Sequence, residues 1–250
     1  MRRAGLIAAG SACVLAAAAA VWLVALRDTT APVGVDDAVE RFREDTTPGD
    51  SPVPAGVYVY ATEGYEKTDA LHGVAHRYPQ RSTIAVAAAD CGVRLTWRVL
   101  EGRSTEWTYC VTDEGWELRS QDERHTFFGR TERTTYVCED TPIRRFDVDA
   151  TFWNGSCGTG STEEDVTVAM WGFEPQEVRG RLVETEHVSK ESAFRGEIRG
   201  TARHDLWFEA ESGVPVKVFM VSRTTTASPI GDVGYEERVT LTLLSLEPRR

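Results

Sequence analysis

No charged residue occurs between Ala4 and Leu26, a run of 23 residues bounded by Met1-Arg2-Arg3 and Arg27-Asp28. As a helix rising about 1.5 Å per residue the run is about 35 Å long, enough to cross a hydrocarbon core of about 30 Å. That leaves two readings, a membrane span or an export signal. The uncleaved signal-anchor is favoured, because cutting among the small residues Ala16–Ala20 leaves Val21-Trp22-Leu23-Val24-Ala25-Leu26 as the start of a soluble protein. Arg2 and Arg3 then hold residues 1–3 in the cytoplasm, so everything beyond residue 27 lies outside. Cys13 has thirteen further apolar residues after it and reads as a membrane-buried thiol rather than a lipid attachment site.

Other features are missing as well. No Cys-x-x-Cys spacing occurs and the five His are dispersed, so no metal site is expected. His72-Gly73-Val74-Ala75-His76 places two His four apart, yet it lacks the Glu of a metalloprotease motif and Gly73 disfavours the helix it needs. There is no Gly-x-Ser-x-Gly elbow. Gly155-x-x-Gly158-x-Gly160 lacks the strand-to-helix setting of a phosphate loop, so no cofactor is expected. Basic residues are scarce outside the apolar run: three of the 28 fall within residues 1–27, leaving 25 against 39 acidic side chains, a formal charge of −14. Such a domain is repelled by nucleic-acid phosphates, and no nucleic-acid partner is expected.

What is present is a pattern of short alternating runs broken by Gly, Asp, Asn and Pro from residue 56 to the end. Leu95/Trp97/Val99 and Val166/Val168/Met170 each alternate with mostly polar neighbours, as strands with one buried face do. Roughly a dozen such strands, and no helical period beyond three turns, predict a mainly β fold built on an antiparallel sheet or barrel. The acids are scattered singly or in short groups along these runs and read as a solvated sheet face. Residues 28–55 differ in composition. Val35, Ala38, Val39 and Phe42 recur at helical spacing after Gly34, with Asp36 and Asp37 in the first turn, and predict a two-turn helix. Thr46 to Pro54, rich in Pro, reads as a tether that holds the domain off the membrane. The organisation is therefore 1–27 cytoplasmic stub and anchor, 28–55 linker with a short helix, and 56–250 one extracytoplasmic β domain. Residues 139–161 show no sustained alternation and read as a loop pinned by Cys157.

Four cysteines lie outside the apolar run, and an even count in an oxidising compartment predicts two disulfides with three connectivities open. Equal separations of 19 residues favour Cys91–Cys110 and Cys138–Cys157. Against the first pair, matching Val93, Leu95 and Trp97 with Trp107, Tyr109 and Val111 puts Cys91 and Cys110 on opposite faces, unless a bulge near Cys110 intervenes. Glu163-Glu164-Asp165 offers adjacent carboxylates for acid-base chemistry, but acids at a strand entry are ordinarily just solvated, and no catalytic residue is assigned. Asn154-Gly155-Ser156 is a glycosylation sequon by letter only.

The most specific stretch runs Asp205-Leu206-Trp207-Phe208-Glu209-Ala210-Glu211-Ser212-Gly213-Val214-Pro215-Val216-Lys217-Val218. It predicts a hairpin whose Ser-Gly turn supplies a positive φ. This stretch resembles the acid-x-x-Ser/Thr-Gly-hydrophobe-Pro-hydrophobe-Lys/Arg hairpin of bacterial lipoprotein-carrier-like proteins, including the mycobacterial lipid-binding lipoproteins of half-barrel fold. It covers about 20 of the 250 residues. The rest, from Gly56-Val57-Tyr58-Val59-Tyr60 through Cys110, resembles a family of actinobacterial membrane proteins. The resemblance implies a strongly curved antiparallel sheet, or half-barrel, over an apolar cavity that takes acyl chains. Trp97, Trp107, Trp116, Trp171, Trp207 and Phe128 are then the candidates to line that cavity. The expectation is a membrane-anchored, non-catalytic domain that binds lipid or another apolar envelope ligand. The alternative is an envelope protein-interaction module, with a hydrolase third.

Overall fold

The computed structural model describes residues 30–45, 51–70, 73–146, 151–228 and 231–250. The apolar run Ala4–Leu26, part of the Pro-rich segment and His72 lie outside the described residues, among which no helix is long and apolar enough to cross a membrane. Among the described residues one helix, α1 (Val35–Asp45), precedes fourteen strands: β1 (Gly56–Thr68), β2 (Val74–Arg77), β3 (Arg81–Ala89), β4 (Gly92–Leu100), β5 (Arg103–Thr112), β6 (Gly115–Phe127), β7 (Arg130–Glu139), β8 (Pro142–Arg145), β9 (Phe152–Gly158), β10 (Thr162–Val178), β11 (Arg181–Gly196), β12 (Ile198–Glu209), β13 (Pro215–Thr226) and β14 (Val233–Leu243).

Twelve of these strands form an antiparallel ring in the order β1-β3-β4-β5-β6-β7-β9-β10-β11-β12-β13-β14, and β14 returns to β1 from Tyr60↔Leu243 to Thr68↔Tyr235. The sheet is thus a closed barrel, which corrects the half-barrel expectation. Closure follows from the length of β1, whose first half pairs β3 and whose second half, beyond the end of β3, pairs β2. Gly64 makes the seam fit, because a Cβ there would lie 2.2 Å from the carbonyl oxygen of Arg238 on β14. A closed ring leaves no long unpaired edge to template aggregation.

The described residues between 139 and 161 are mostly strand rather than loop. β8 pairs β6, and β9 is a full member of the ring, paired along its whole length with β10. Its Asn and Gly disguise it, and Gly155 is there for packing: a Cβ at that position would sit 2.5 Å from Thr141 Oγ1. β6 runs as one strand from Gly115 to Phe127, while the turns after β10 and β11 fall at residues 179–180 and 197.

The segment before β1 is not a free tether either. Val33 N donates to Val99 O at 3.2 Å, and α1 lays Ala38 and Val39 against Val57, with Ala85 beside them. Val53 is fully buried in the main core, and Tyr58 OH donates to Pro54 O at 2.8 Å. The disulfides join Cys91 to Cys110 and Cys138 to Cys157. Cys91 avoids the face conflict because it sits in the turn before β4, so strand alternation does not fix its direction. The β4–β5 register itself runs unbroken from Gly92↔Cys110 to Arg98↔Ser104.

Inside the ring the core is apolar at one end only. Tyr58 and Tyr60, Trp116, Phe208, Val216, Leu241 and Leu243 fill the end reached by residues 51–55, each burial worth roughly 1.5–3 kcal/mol. The Ser212-Gly213 turn closes over this end. Gly213 has φ +70°, and a Cβ there would lie 2.6 Å from the Trp116 ring.

Candidate functional site: a charged belt under an open mouth

Followed along the barrel, the inward-facing stripes change character at one level. On β14 Leu243, Leu241 and Val239 give way to Glu237 and Tyr235; on β5 Tyr109 and Trp107 give way to Thr105 and Arg103. On β10 Val168 and Val166 are followed by Glu164, on β11 Val188 by Lys190, and on β12 Phe208 and Leu206 by His204. The result is a belt of buried charge beneath the open end. Arg103, Glu66, Glu164, Lys190 and Glu237 are all at least 95% buried. Buried charges persist only when paired and hydrogen-bonded, and these are.

The belt crosses the lumen. Arg103 on β5 donates from Nε to Glu237 Oε1 on β14 at 3.0 Å and from Nη2 to Oε2 at 2.8 Å, a bidentate pair, while Nη1 reaches Thr105 Oγ1 at 2.6 Å. Tyr78 OH also donates to Glu237. Glu66 on β1 meets His76 Nδ1 through Oε1 at 2.9 Å, and through Oε2 meets His125 Nδ1 and Tyr235 OH, both at 3.2 Å. From His125 the chain continues to Glu123 at 3.5 Å, to Gln121 at 2.7 Å and to Trp107 Nε1 at 3.2 Å. Lys190 Nζ approaches Gln121 Oε1 at 3.5 Å and donates to Glu164 Oε1 at 2.7 Å, an oxygen that also accepts from Ser192 Oγ at 2.6 Å.

These contacts set the protonation states. Burial alone would raise the Glu66 carboxyl, but hydrogen bonds from His125 and His76 and the Arg103 charge bring it down to about 2. Glu123 is held at about 2 by the same opposition, burial against the His125 hydrogen bond. His125 is opposed by burial and Arg103 yet raised by its carboxylate partners. His204 goes the other way: burial, reinforced by Lys190, lowers it to about 3. A neutral imidazole therefore faces the space above the belt.

That space is a cavity of about 690 Å³ running from the belt to the turns of the open end. Arg103, Gln121, Glu123, Glu164, Lys190 and His204 line its floor, and Arg130, Arg133, Ser161 and Glu197 stand at its rim. Below the belt, by contrast, the void among Ile84, Leu95, Leu118 and Val218 measures about 20 Å³. Glu164 Oε2 is buried and has no hydrogen-bond partner among the described residues. No group of His, Cys, Asp and Glu among the described residues is arranged to hold a metal.

No family model matches the chain, and no curated protein does. Among solved structures it is similar to the crystal structure of the hypothetical lipoprotein YmcC from Escherichia coli (K12), at 12% identity, over 83% of this chain and 96% of that one, with a TM-score of 0.35. A likeness of that degree fixes neither a ligand nor a compartment.

The aromatic residues singled out in the sequence divide. Trp107 lines the cavity. Trp97 and Trp116 face inward but are packed solid, Trp97 donating to Ser82 Oγ at 3.0 Å and Trp116 lying under the Arg144 guanidinium. Trp171 and Trp207 are on the outer wall, where Trp207 stacks on His187 at 4.3 Å and Trp171 is 64% exposed. Phe128 occupies the β6–β7 turn with φ +53°; its neighbour Phe127 lines the cavity instead. Of the three adjacent acids, Glu163 and Asp165 face solvent and only Glu164 enters the barrel. His76 belongs to the belt, through its contact with Glu66. Arg103, Glu237, Lys190, Glu66 and His204 were not singled out, although each continues an inward stripe in phase with apolar neighbours.

Proposed function

We propose that the chain is an extracytoplasmic binding domain, held at the cell membrane by Ala4–Leu26, that takes the polar part of an envelope molecule into the open half of its barrel and does not transform it. The observation that carries this reading is the distribution of free volume. Space for a ligand exists above the charged belt, about 690 Å³, and is nearly absent from the apolar half, about 20 Å³. An acyl chain finds almost no free volume in the apolar half, whereas a polar group at the cavity floor meets fixed donors and acceptors whose orientation is already set by their partners. The two disulfides support an oxidising compartment. Binding without catalysis is supported by the way the belt carboxylates are tied up in ion pairs.

The test is native mass spectrometry and solvent extraction of the full chain purified from its own membranes. A polar or polar-headed molecule is expected in about stoichiometric amount, and Lys190→Met should release it. A purely hydrocarbon ligand, or a barrel that returns empty from native membranes, overturns the reading. A second reading, a protein-interaction surface, is favoured by Phe152 and Trp171, 66% and 64% exposed on the outer wall. Photo-crosslinking at Trp171 would then capture one discrete envelope protein.

A further inference from the structure

The first described residues are fixed to the rim of the open end. Gly102 N donates to Thr30 Oγ1 at 3.1 Å and Glu101 N to Ala31 O at 2.9 Å. Glu101 and Gly102 form the β4–β5 turn, which sits against Thr126 at the end of β6: a Cβ on Gly102 would lie 2.7 Å from Thr126 Cβ. Only three residues, Arg27-Asp28-Thr29, separate Thr30 from Leu26, the last residue of the charge-free run. Those four steps along the chain reach at most roughly 14 Å. The thirteen residues of β1, rising about 3.3 Å each along the strand, put the closed end tens of ångströms farther away.

The two ends also differ in charge. Turns of the closed end hold Asp90, Asp113, Glu139, Asp140 and Glu211, none of which is in an ion pair among the described residues; Glu114 there pairs Arg145, and Arg179, Arg249 and Arg250 add positive charge at the same end. At the mouth the turns Phe128-Gly129 and Thr159-Gly160-Ser161 carry no charge, and two of the acids there are neutralised, Glu101 by Arg41 and Asp232 by Arg199, each at 2.9 Å. Arg130, paired with Glu132, and Arg133 stand at the rim, while Asp69 and Glu197 are in no ion pair among the described residues. An anionic lipid surface repels the mouth, with fewer unpaired acids in its turns, less than the closed end.

We infer that the barrel stands mouth-down on the outer face of the membrane that Ala4–Leu26 crosses, so that a lipid headgroup rises into the cavity while its acyl chains stay in the bilayer. This rests on the reading of the cavity as a binding site for a polar group and adds its source, the bilayer surface.

The experiment reconstitutes the full chain in vesicles of phosphatidylglycerol and phosphatidylethanolamine, with the photo-crosslinker p-benzoylphenylalanine placed either at Phe128 in a mouth turn or at Asp113 in a closed-end turn. Lipid adducts are expected at 128 in excess over 113 by an order of magnitude. Adducts at 113 instead, or equal yields at both positions, overturn the orientation. Ala202→Trp, which fills the cavity from β12, separates the two ideas. If the orientation and the headgroup site both hold, the adduct at 128 persists while co-purified lipid is lost. If 128 still reacts but no lipid ever co-purifies with the parent chain, the orientation stands and the headgroup site falls.

Discussion

Arg103 is the residue on which the belt depends most. It is 2% exposed and neutralises Glu237 through two hydrogen bonds while standing 3.8 Å from Glu66. Replacing it by Met leaves two buried carboxylates without their cation, which costs about 3–5 kcal/mol. Arg103→Met should therefore lower the urea midpoint sharply, and adding Glu237→Gln should recover part of the loss. Equal effects for the single and double variants would show that the pair is not coupled. His204 sets a pH dependence. Its folded value of about 3 lies below the ordinary 6.5, because burial and Lys190 disfavour its cation, while Glu123 and Asp205 only partly offset them. The unfolded chain thus takes up a proton that the folded chain refuses. The stability involved is present above about pH 6.5 and is lost as pH falls, at up to about 1.4 kcal/mol per unit for one proton. Glu66 and Glu123, ordinary value 4.5 and folded value about 2, add a second loss only below about pH 4.5. His204→Gln should flatten the urea-midpoint profile between about pH 6.5 and 4.5 and leave the lower limb in place.

At the scale of elements the weak place in the ring is the junction of β7 and β9. It is made by Val137↔Gly158, Cys138↔Cys157 and Glu139↔Ser156 alone, whereas the other neighbours share longer ladders. The Cys138–Cys157 disulfide lies across that junction. Cross-links closing loops of this size stabilise by about 3 kcal/mol through the unfolded state. Cys138→Ser with Cys157→Ser should cost about that much, and should in addition speed amide exchange at Val137–Glu139 and Ser156–Gly158 ahead of the rest of the barrel. Loss of Cys91–Cys110 should lower stability without that local opening, because the β4–β5 ladder spans the hairpin independently. The same junction shows where sequence reading stops. Strands such as β4 and β13 are legible because apolar and polar residues alternate through them. β9, Phe152-Trp153-Asn154-Gly155-Ser156-Cys157-Gly158, carries Asn and two Gly that depress intrinsic strand preference, and its ladders with β10 and β7 make it a strand. β2 is four residues long and is held by its ladder with β1 and by the contact of His76 Nδ1 with Glu66 at 2.9 Å. The belt escaped notice for a related reason. Glu163, Glu164 and Asp165 are chemically alike, and nothing local says that the middle one faces the lumen. Phase does: Glu164 is in register with Val166 and Val168, as Glu237 is with Val239 and Leu241.

For the molecule as a whole, the boundary of the folding unit lies earlier than composition suggests. The change to Pro, Thr, Asp and Gly before residue 56 reads as a linker, yet Val53 is fully buried in the main core and α1 covers Val57 on the outer wall. Pro-rich composition reports a backbone that is neither helix nor strand; it does not report whether the side chains find a surface to cover. The C-terminus reinforces the same region, since Arg249 bridges Val57 and its guanidinium approaches Asp36 at 3.4 Å. A chain beginning at Thr30 should therefore unfold in one cooperative transition. A chain beginning at Gly56 should lose the burial of Val33, Ala38, Val39 and Val53, roughly 1.5–3 kcal/mol for each large aliphatic side chain, and expose the apolar end of the barrel. Against a marginal total of about 5–15 kcal/mol, that loss is large enough to leave the shorter chain partly unfolded. Comparison of the two by urea denaturation decides the matter. Equal midpoints would mean that residues 30–55 are a passive tether; a large drop for the shorter chain would show that the barrel is completed by the segment that also fixes its mouth beside Thr30.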